Sequence, residues 1–238
     1  MIAICGLPTG HFDDDLVETA FQAYRNPSQR SELLASLSEF NLFDAKITML
    51  GVWDTVGSLG IPALVGRTSS LVYGFLDTGL HPDVLHAYQA LAVDERRAQF
   101  PPTIWTSAPA PSQELLQIWF TGVHCDVGGG YGQTGLSDIT LSWMMGKAQA
   151  LELQIDEAVL AQYAGPLDPE HALDQLHESW NVLWGFPSSR TIAPNASLSN
   201  SVEVRCQHAG DYRPRNLNQS SGTLASTYEI APIVGAPP

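Results

Sequence analysis

The sequence predicts an α/β protein, a mostly parallel sheet flanked by helices, and two observations carry that prediction. Two short apolar runs rich in strand formers, Ile47–Trp53 and residues 115–123, each end abruptly in a loop of charged and small residues. Apolar residues at helical spacing recur around them. Strands alternating with helical segments are the pattern of crossover-connected parallel sheets, in which functional groups gather at the carboxyl ends of the strands.

Taken in order, residues 1–6 are a short apolar stretch that opens without a cap, as though it were the tail of an earlier element. Asp13, Asp14 and Asp15 follow. Consecutive carboxylates point in different directions on a helix, so this triplet reads as a solvated N-terminal cap and not as a metal site. Leu16, Val17, Ala20, Phe21 and Tyr24 then predict one helix, and Leu33, Leu34, Leu37 and Phe40 a second. The run at 47–53 predicts a strand buried on both faces. Val84, Leu85, Tyr88, Leu91 and Ala92 predict a helix, with Asp94, Glu95, Arg96 and Arg97 as a salt-bridge cluster on its end. After the strand at 115–123, Ser137 is placed to cap a helix running through Trp143, Met144, Ala148 and Leu151. Shorter helical pieces are expected near 157–163 and 170–179. The chain reads as loop-rich from Trp180 onward. The organisation expected is a single domain over 1–230 with a disordered tail at 231–238.

Composition excludes several classes. A net charge of -14, from 25 acidic and 11 basic residues, repels phosphate backbones and disfavours nucleic-acid binding. It equally disfavours electrostatic attraction to anionic membranes, but not apolar insertion at a lipid interface. Cys5, Cys125 and Cys206 have neither disulfide-framework nor zinc spacing and read as small buried hydrophobes. No apolar run is long enough to span a bilayer, and the N-terminus lacks the features of a signal peptide. A cytoplasmic origin follows, and no cofactor or metal is expected.

The chemistry-bearing residues lie at the two strand ends. Asp54 follows the first and His124 the second, in the order of the Ser…Asp…His triad of α/β-hydrolases. An imidazole can deprotonate a serine hydroxyl, and a carboxylate fixes the imidazole's tautomer and stabilises its charged form. Gly128, Gly129 and Gly130 match neither a dinucleotide fingerprint nor a P-loop, and serve to let the loop turn so that His124 reaches inward. His86, His171, His177 and His208 lack ligand spacing and read as surface or supporting histidines, while His11 and His81 carry no signal. A metal-dependent hydrolase site of Asp54, His124 and Asp126 is a weaker reading of the same residues. No G-x-S-x-G occurs, and Gly57-Ser58-Leu59-Gly60 is not built as a nucleophile elbow.

These segments together resemble the bacterial and fungal α/β-hydrolase domain of unknown function that includes phospholipase effectors of the type VI secretion system. The resemblance rests on V-W-D-T-V-G at 52–57, H-A-Y-Q-A-L-A-V-D-E-R-R at 86–97, F-P-P-T-I-W at 100–105, G-V-H-C-D-V-G-G-G-Y at 122–131 and L-S-D-I-T-L-S-W-M at 136–144. Weaker support comes from S-V-E-V-R at 201–205 and Y-R-P-R-N-L at 212–217. It implies an α/β-hydrolase-like fold, an acyl-ester or lipid substrate, and export by a type VI system. By resemblance Asp54 is the triad acid and His124 the base, with Asp126 and Asp138 as supporting carboxylates and Asp126 the rival for the acid. The family's elbow reads like G-F-S-R-G-A, followed by a helix whose end resembles residues 1–8. The resemblance therefore implies a chain lacking the N-terminal strands and nucleophile, inactive unless a separate chain carries that half. The alternatives are a truncated or mis-started reading frame, and a non-catalytic remnant or binding module of the same fold.

Overall fold

The computed structural model describes residues 1–8, 13–37, 42–43, 45–56, 79–156, 158, 169–220 and 222–233. The expected helical piece at 157–163, the Gly57–Gly60 loop and residues 234–238 fall wholly or largely outside them.

Three helices open the chain: α1 (Ile2–Cys5), α2 (Asp14–Arg25) and α3 (Arg30–Ser36). The Asp13 carboxylate accepts the Leu16 N–H at 2.9 Å, and Asp14 and Asp15 occupy the first turn of α2, where they meet the positive end of the helix dipole. The acidic triplet is thus a cap. Cys5, Leu16, Ala20, Ala23 and Leu37 bury one another in a small cluster. A two-residue strand β1 (Leu7–Pro8) pairs antiparallel with β2 (Leu42–Phe43).

The main sheet holds β3 (Ile47–Trp53), β4 (Val84–Ala92), β5 (Glu114–Phe120), β6 (Ser197–Ser199) and β9 (Glu229–Ala231), in the order β3-β4-β5-β6-β9. Every neighbouring pair is parallel. The small hairpin of β7 (Gln219–Ser220) and β8 (Thr223–Leu224) lies outside it. Helices α4 (His124–Gly128) and α5 (Gly135–Ala150) follow β5, and α6 (Asn200–His208) follows β6. This is the α/β architecture expected, a parallel sheet flanked by helices.

Both faces of the central strands β4 and β5 are covered. Tyr88, Ala90, Ala92, Ile118 and Phe120 point into a cluster with Ile139, Trp143 and Met144 of α5. Leu91, Val93 and Trp119 point the other way, into a cluster with Leu198, Val202, Cys206 and Tyr212. The period-2 split of consecutive residues between two cores is the mark of a central strand in a covered parallel sheet.

Several local expectations are corrected. Val84–Ala92 is a strand and not a helix. An almost unbroken apolar run satisfies i+3 and i+4 spacing as readily as i+2, and ladder partners on both edges decide the matter. Strand β3, expected to be buried on both faces, is only partly covered, because among the described residues it pairs with β4 alone and ends the sheet. Ser137 does not cap α5: that helix starts after Thr134, whose carbonyl accepts the Ser137 hydroxyl. The segment 170–179 is helical only as a 3-10 turn over Pro169–Leu173. The segment beyond Trp180, read as loop-rich, holds β6, α6 and β9 between its loops. Strands of three residues are too short to show alternation. Among the described residues no helix is long and apolar enough to cross a membrane.

Candidate functional site

The carboxyl ends of β3, β4 and β5 lie side by side, and the strand register brings their following residues together. Asp54 leaves β3 with φ 44, a left-handed conformation that is uncommon outside glycine and turns its carboxylate under the ends of the neighbouring strands. Its N–H donates to Ala90 O at 2.7 Å, and its Oδ1 accepts the Ala92 N–H at 2.9 Å. His124 opens α4 directly after β5. Its Nδ1 lies 2.7 Å from Asp54 Oδ2, so Nδ1–H donates to the carboxylate. No described residue takes Nε2, and the ring is 29% exposed against 0% for Asp54.

A residue that sequence reasoning missed completes this arrangement. Arg190, itself buried, donates through both terminal nitrogens to the two oxygens of Asp54, with Nη2 2.8 Å from Oδ2. The same guanidinium bridges to the carbonyls of Ala92 (2.9 Å) and Phe100 (2.8 Å). Burial alone pushes the Asp54 carboxyl up. The hydrogen bonds from His124 and Arg190 outweigh it, and the group lies below the usual carboxylate range. Asp54 is a fixed anion.

The cluster 94–97 does not end a helix. It follows β4, and the Glu95 side chain is fully buried. Glu95 holds Arg97 in a fork (2.9 and 2.8 Å) and accepts the Ser179 hydroxyl and the backbone N–H of His124 at 3.2 Å. Burial pushes Glu95 up, but the Arg97 hydrogen bonds prevail and bring it down to about 2. Arg97 lies 3.6 Å from the ring centre of Phe100, whose edge meets the His124 ring at 5.4 Å. The backbone and one ring face of His124 are therefore both held.

Asp126 does not join Asp54 and His124. Its Oδ1 lies 2.6 Å from His177 Nδ1, and its Oδ2 accepts the N–H groups of Val123 and His177. Tyr131 stacks on the His177 ring at 3.8 Å. His177 is thus half of a buried pair that straps the segment after the 3-10 turn onto α4. Asp138 sits in the first turn of α5 and accepts the Thr134 hydroxyl. Gly129 and Gly130 adopt φ 85 and 127 beyond α4, the positions at which the chain turns. Among the described residues no group of three His, Cys, Asp or Glu is arranged to hold a metal. Cys125, beside His124, has its thiol pushed up by burial, which disfavours a nucleophilic thiolate.

Gly122 is both tight and in a conformation that favours glycine. Its φ is 123, and a Cβ there would fall 2.4 Å from Asp126 Cβ. Gly122→Ala is expected to cost about 1–3 kcal/mol in backbone strain and a comparable amount in overpacking. Urea denaturation checks this, and a loss below about 1 kcal/mol would contradict the geometry.

A cavity of about 850 Å³ adjoins the site through Val123 and His177 and is also lined by Asp94, Tyr212, Arg205 and Arg215. Burial pushes the Asp94 carboxyl up to about 6, against hydrogen bonds from Gly122 and Tyr212 that favour the anion. A carboxyl whose folded value is raised binds its proton more tightly in the folded state, so its contribution to stability falls as pH rises from about 4 to about 6. Asp94→Asn is therefore expected to stabilise the fold above pH 6 by up to about 3 kcal/mol and to flatten the stability profile across that window. Parallel denaturation curves at either end of the window check it; an unchanged profile counts against it.

Two comparisons, with curated proteins and with solved structures, found no match. The family described as T6SS, Phospholipase effector Tle1-like, catalytic domain matches residues 1–147, a span that contains Asp54, Glu95 and His124 but stops before His177 and Arg190. As that match covers well over half of the 238 residues, the chain belongs to the Tle1-like phospholipase effector family of type VI secretion systems.

Proposed function

We propose that the chain supplies the general base and the orienting acid of a serine-type phospholipase site. The observation that carries this reading is the 2.7 Å contact between Asp54 Oδ2 and His124 Nδ1 at the carboxyl end of a parallel sheet, with Nε2 left without a partner among the described residues. A carboxylate that holds Nδ1–H leaves the Nε2 lone pair for a serine hydroxyl. In acylation His124 takes the serine proton as the oxygen attacks the lipid ester carbonyl, then returns it to the leaving alcohol. In deacylation it repeats both transfers with water. Asp54 stays ionised throughout and stabilises the imidazolium, while Arg190 and the Ala92 N–H hold the carboxylate in place.

The serine is not assigned, since no G-x-S-x-G occurs in the sequence. The natural test is release of fatty acid from phospholipid vesicles and of alcohol from soluble short-chain esters. It is run with the chain alone and with the chain joined, in cis or as a second polypeptide, to a segment bearing a G-x-S-x-G elbow. Hydrolysis that disappears with His124→Ala is the expected result. A correctly folded assembly without hydrolysis overturns the catalytic reading in favour of a binding module.

A further inference from the structure

Between Ser179 and Ser189 no residue carries a charge, although the chain as a whole has net charge -14. The middle of this stretch forms a knuckle around the 3-10 turn Val182–Trp184. Val182, Leu183 and Phe186 are 79%, 85% and 93% exposed. Burying an aliphatic or aromatic side chain of this size is worth about 1.5–3 kcal/mol, so three of them held in water on one tip form a surface that favours removal from water.

Local hydrogen bonds hold the knuckle, and no described residue covers its tip. The Asn181 side chain accepts the Leu183 N–H at 3.0 Å, and the Trp180 indole N–H donates to Gly185 O at 3.0 Å. Gly185 turns the chain with φ 80. The Gln99 amide holds Trp184 O, and Ser188 N–H donates to Arg96 O. The base is mounted on the candidate site: Trp184 meets the Phe100 ring at 5.6 Å, and the opposite neighbour of Phe100 is His124 at 5.4 Å. Three residues past Pro187, Arg190 grips Asp54. The tip and the partly exposed His124 ring are therefore linked through Phe100 and through the Arg190–Asp54 pair.

We propose that residues 180–187 are a lipid-docking knuckle that inserts its apolar tip into a zwitterionic phospholipid surface beside His124. This rests on the phospholipase reading, which requires His124 to meet an ester anchored in lipid. The lack of charge matches a surface without net charge, and the half-covered tryptophans at the base, each with an apolar ring and one polar edge, suit the boundary between water and acyl chains. A preformed tip loses little conformational entropy on insertion.

The full chain is mixed with vesicles of pure phosphatidylcholine. Binding is read by co-sedimentation and by quenching of tryptophan fluorescence with brominated acyl chains. Binding that resists added salt is expected. It should weaken by at least roughly tenfold in the triple variant Val182→Ser, Leu183→Ser, Phe186→Ser, whose unfolding curve should match that of the parent because these side chains are exposed. Unchanged binding in the triple variant, binding abolished by salt, or no binding at all overturns the proposal. So does a concentration-dependent dimer lost in the triple variant, which would assign the tip to a second copy of the chain. The outcomes separate from the catalytic test. Lost docking with intact hydrolysis of soluble esters sinks only the knuckle; intact docking in an assembled but inactive protein sinks only the catalytic reading.

Discussion

Arg190→Met is expected to lose about 3–5 kcal/mol of folding stability at neutral pH, a large share of what holds a domain together. The side chain is 3% exposed and its partner Asp54 is 0% exposed, so water cannot replace the lost guanidinium. Among the described residues the variant leaves the buried anion with His124 and the Ala92 N–H as donors, and it leaves the Ala92 and Phe100 carbonyls without the Arg190 contacts. Removing the charge and its partner together costs less than removing one, so Asp54→Asn added to Arg190→Met should recover part of the loss. The pH dependence has a definite sign. In the parent the Asp54 carboxyl is held below its usual range, and its contribution is lost only as pH falls through that depressed value. In Arg190→Met burial is left largely uncompensated and raises the carboxyl, so protonation relieves the orphan charge and the deficit shrinks toward acid. Urea denaturation of the two single variants and the double variant at several pH values measures all of this. A deficit under about 1 kcal/mol, or one that grows toward acid, contradicts the role assigned to the pair.

On the proposed catalytic reading, with a serine-bearing segment supplied, His124→Ala is expected to reduce turnover about 10⁶-fold and Asp54→Asn about 10⁴-fold. The second loss arises because an amide at position 54 accepts less well from Nδ1–H and lets the ring present its proton, not its lone pair, from Nε2. Asp126→Asn gives the contrast. Asp126 faces His177 and the Val123 N–H, so its replacement should reduce turnover by no more than about 10²-fold, acting through the seat of α4. Initial rates on phosphatidylcholine, with folding checked for each variant, decide the order. Equal losses for Asp54→Asn and Asp126→Asn would reinstate Asp126 as a rival acid.

The legible part of this protein is the part written in contiguous residues. Strand β3 could be read from its composition, and the Asp13 cap from an acidic first turn ahead of an apolar helical pattern. Asp54 and His124 stand out because each follows a short apolar run rich in strand formers. Strand β4 was misread as a helix for the same reason it is central: apolar on both faces, it carries no period of its own. His177 looked like one more helical histidine beside a glutamate, and nothing local shows that a buried carboxylate waits for it.

An α/β protein with an aspartate and a histidine at two strand ends is legible in the residues alone, because burial patterns and turn chemistry are local properties of a polypeptide. What holds those groups follows from the folded chain. Arg190 reaches Asp54 across 136 residues, Ser179 reaches Glu95 across 84 and His177 reaches Asp126 across 51. An ion pair or hydrogen bond depends on distance in space and on the water excluded around it, and neither quantity is encoded in the spacing of residues along the chain.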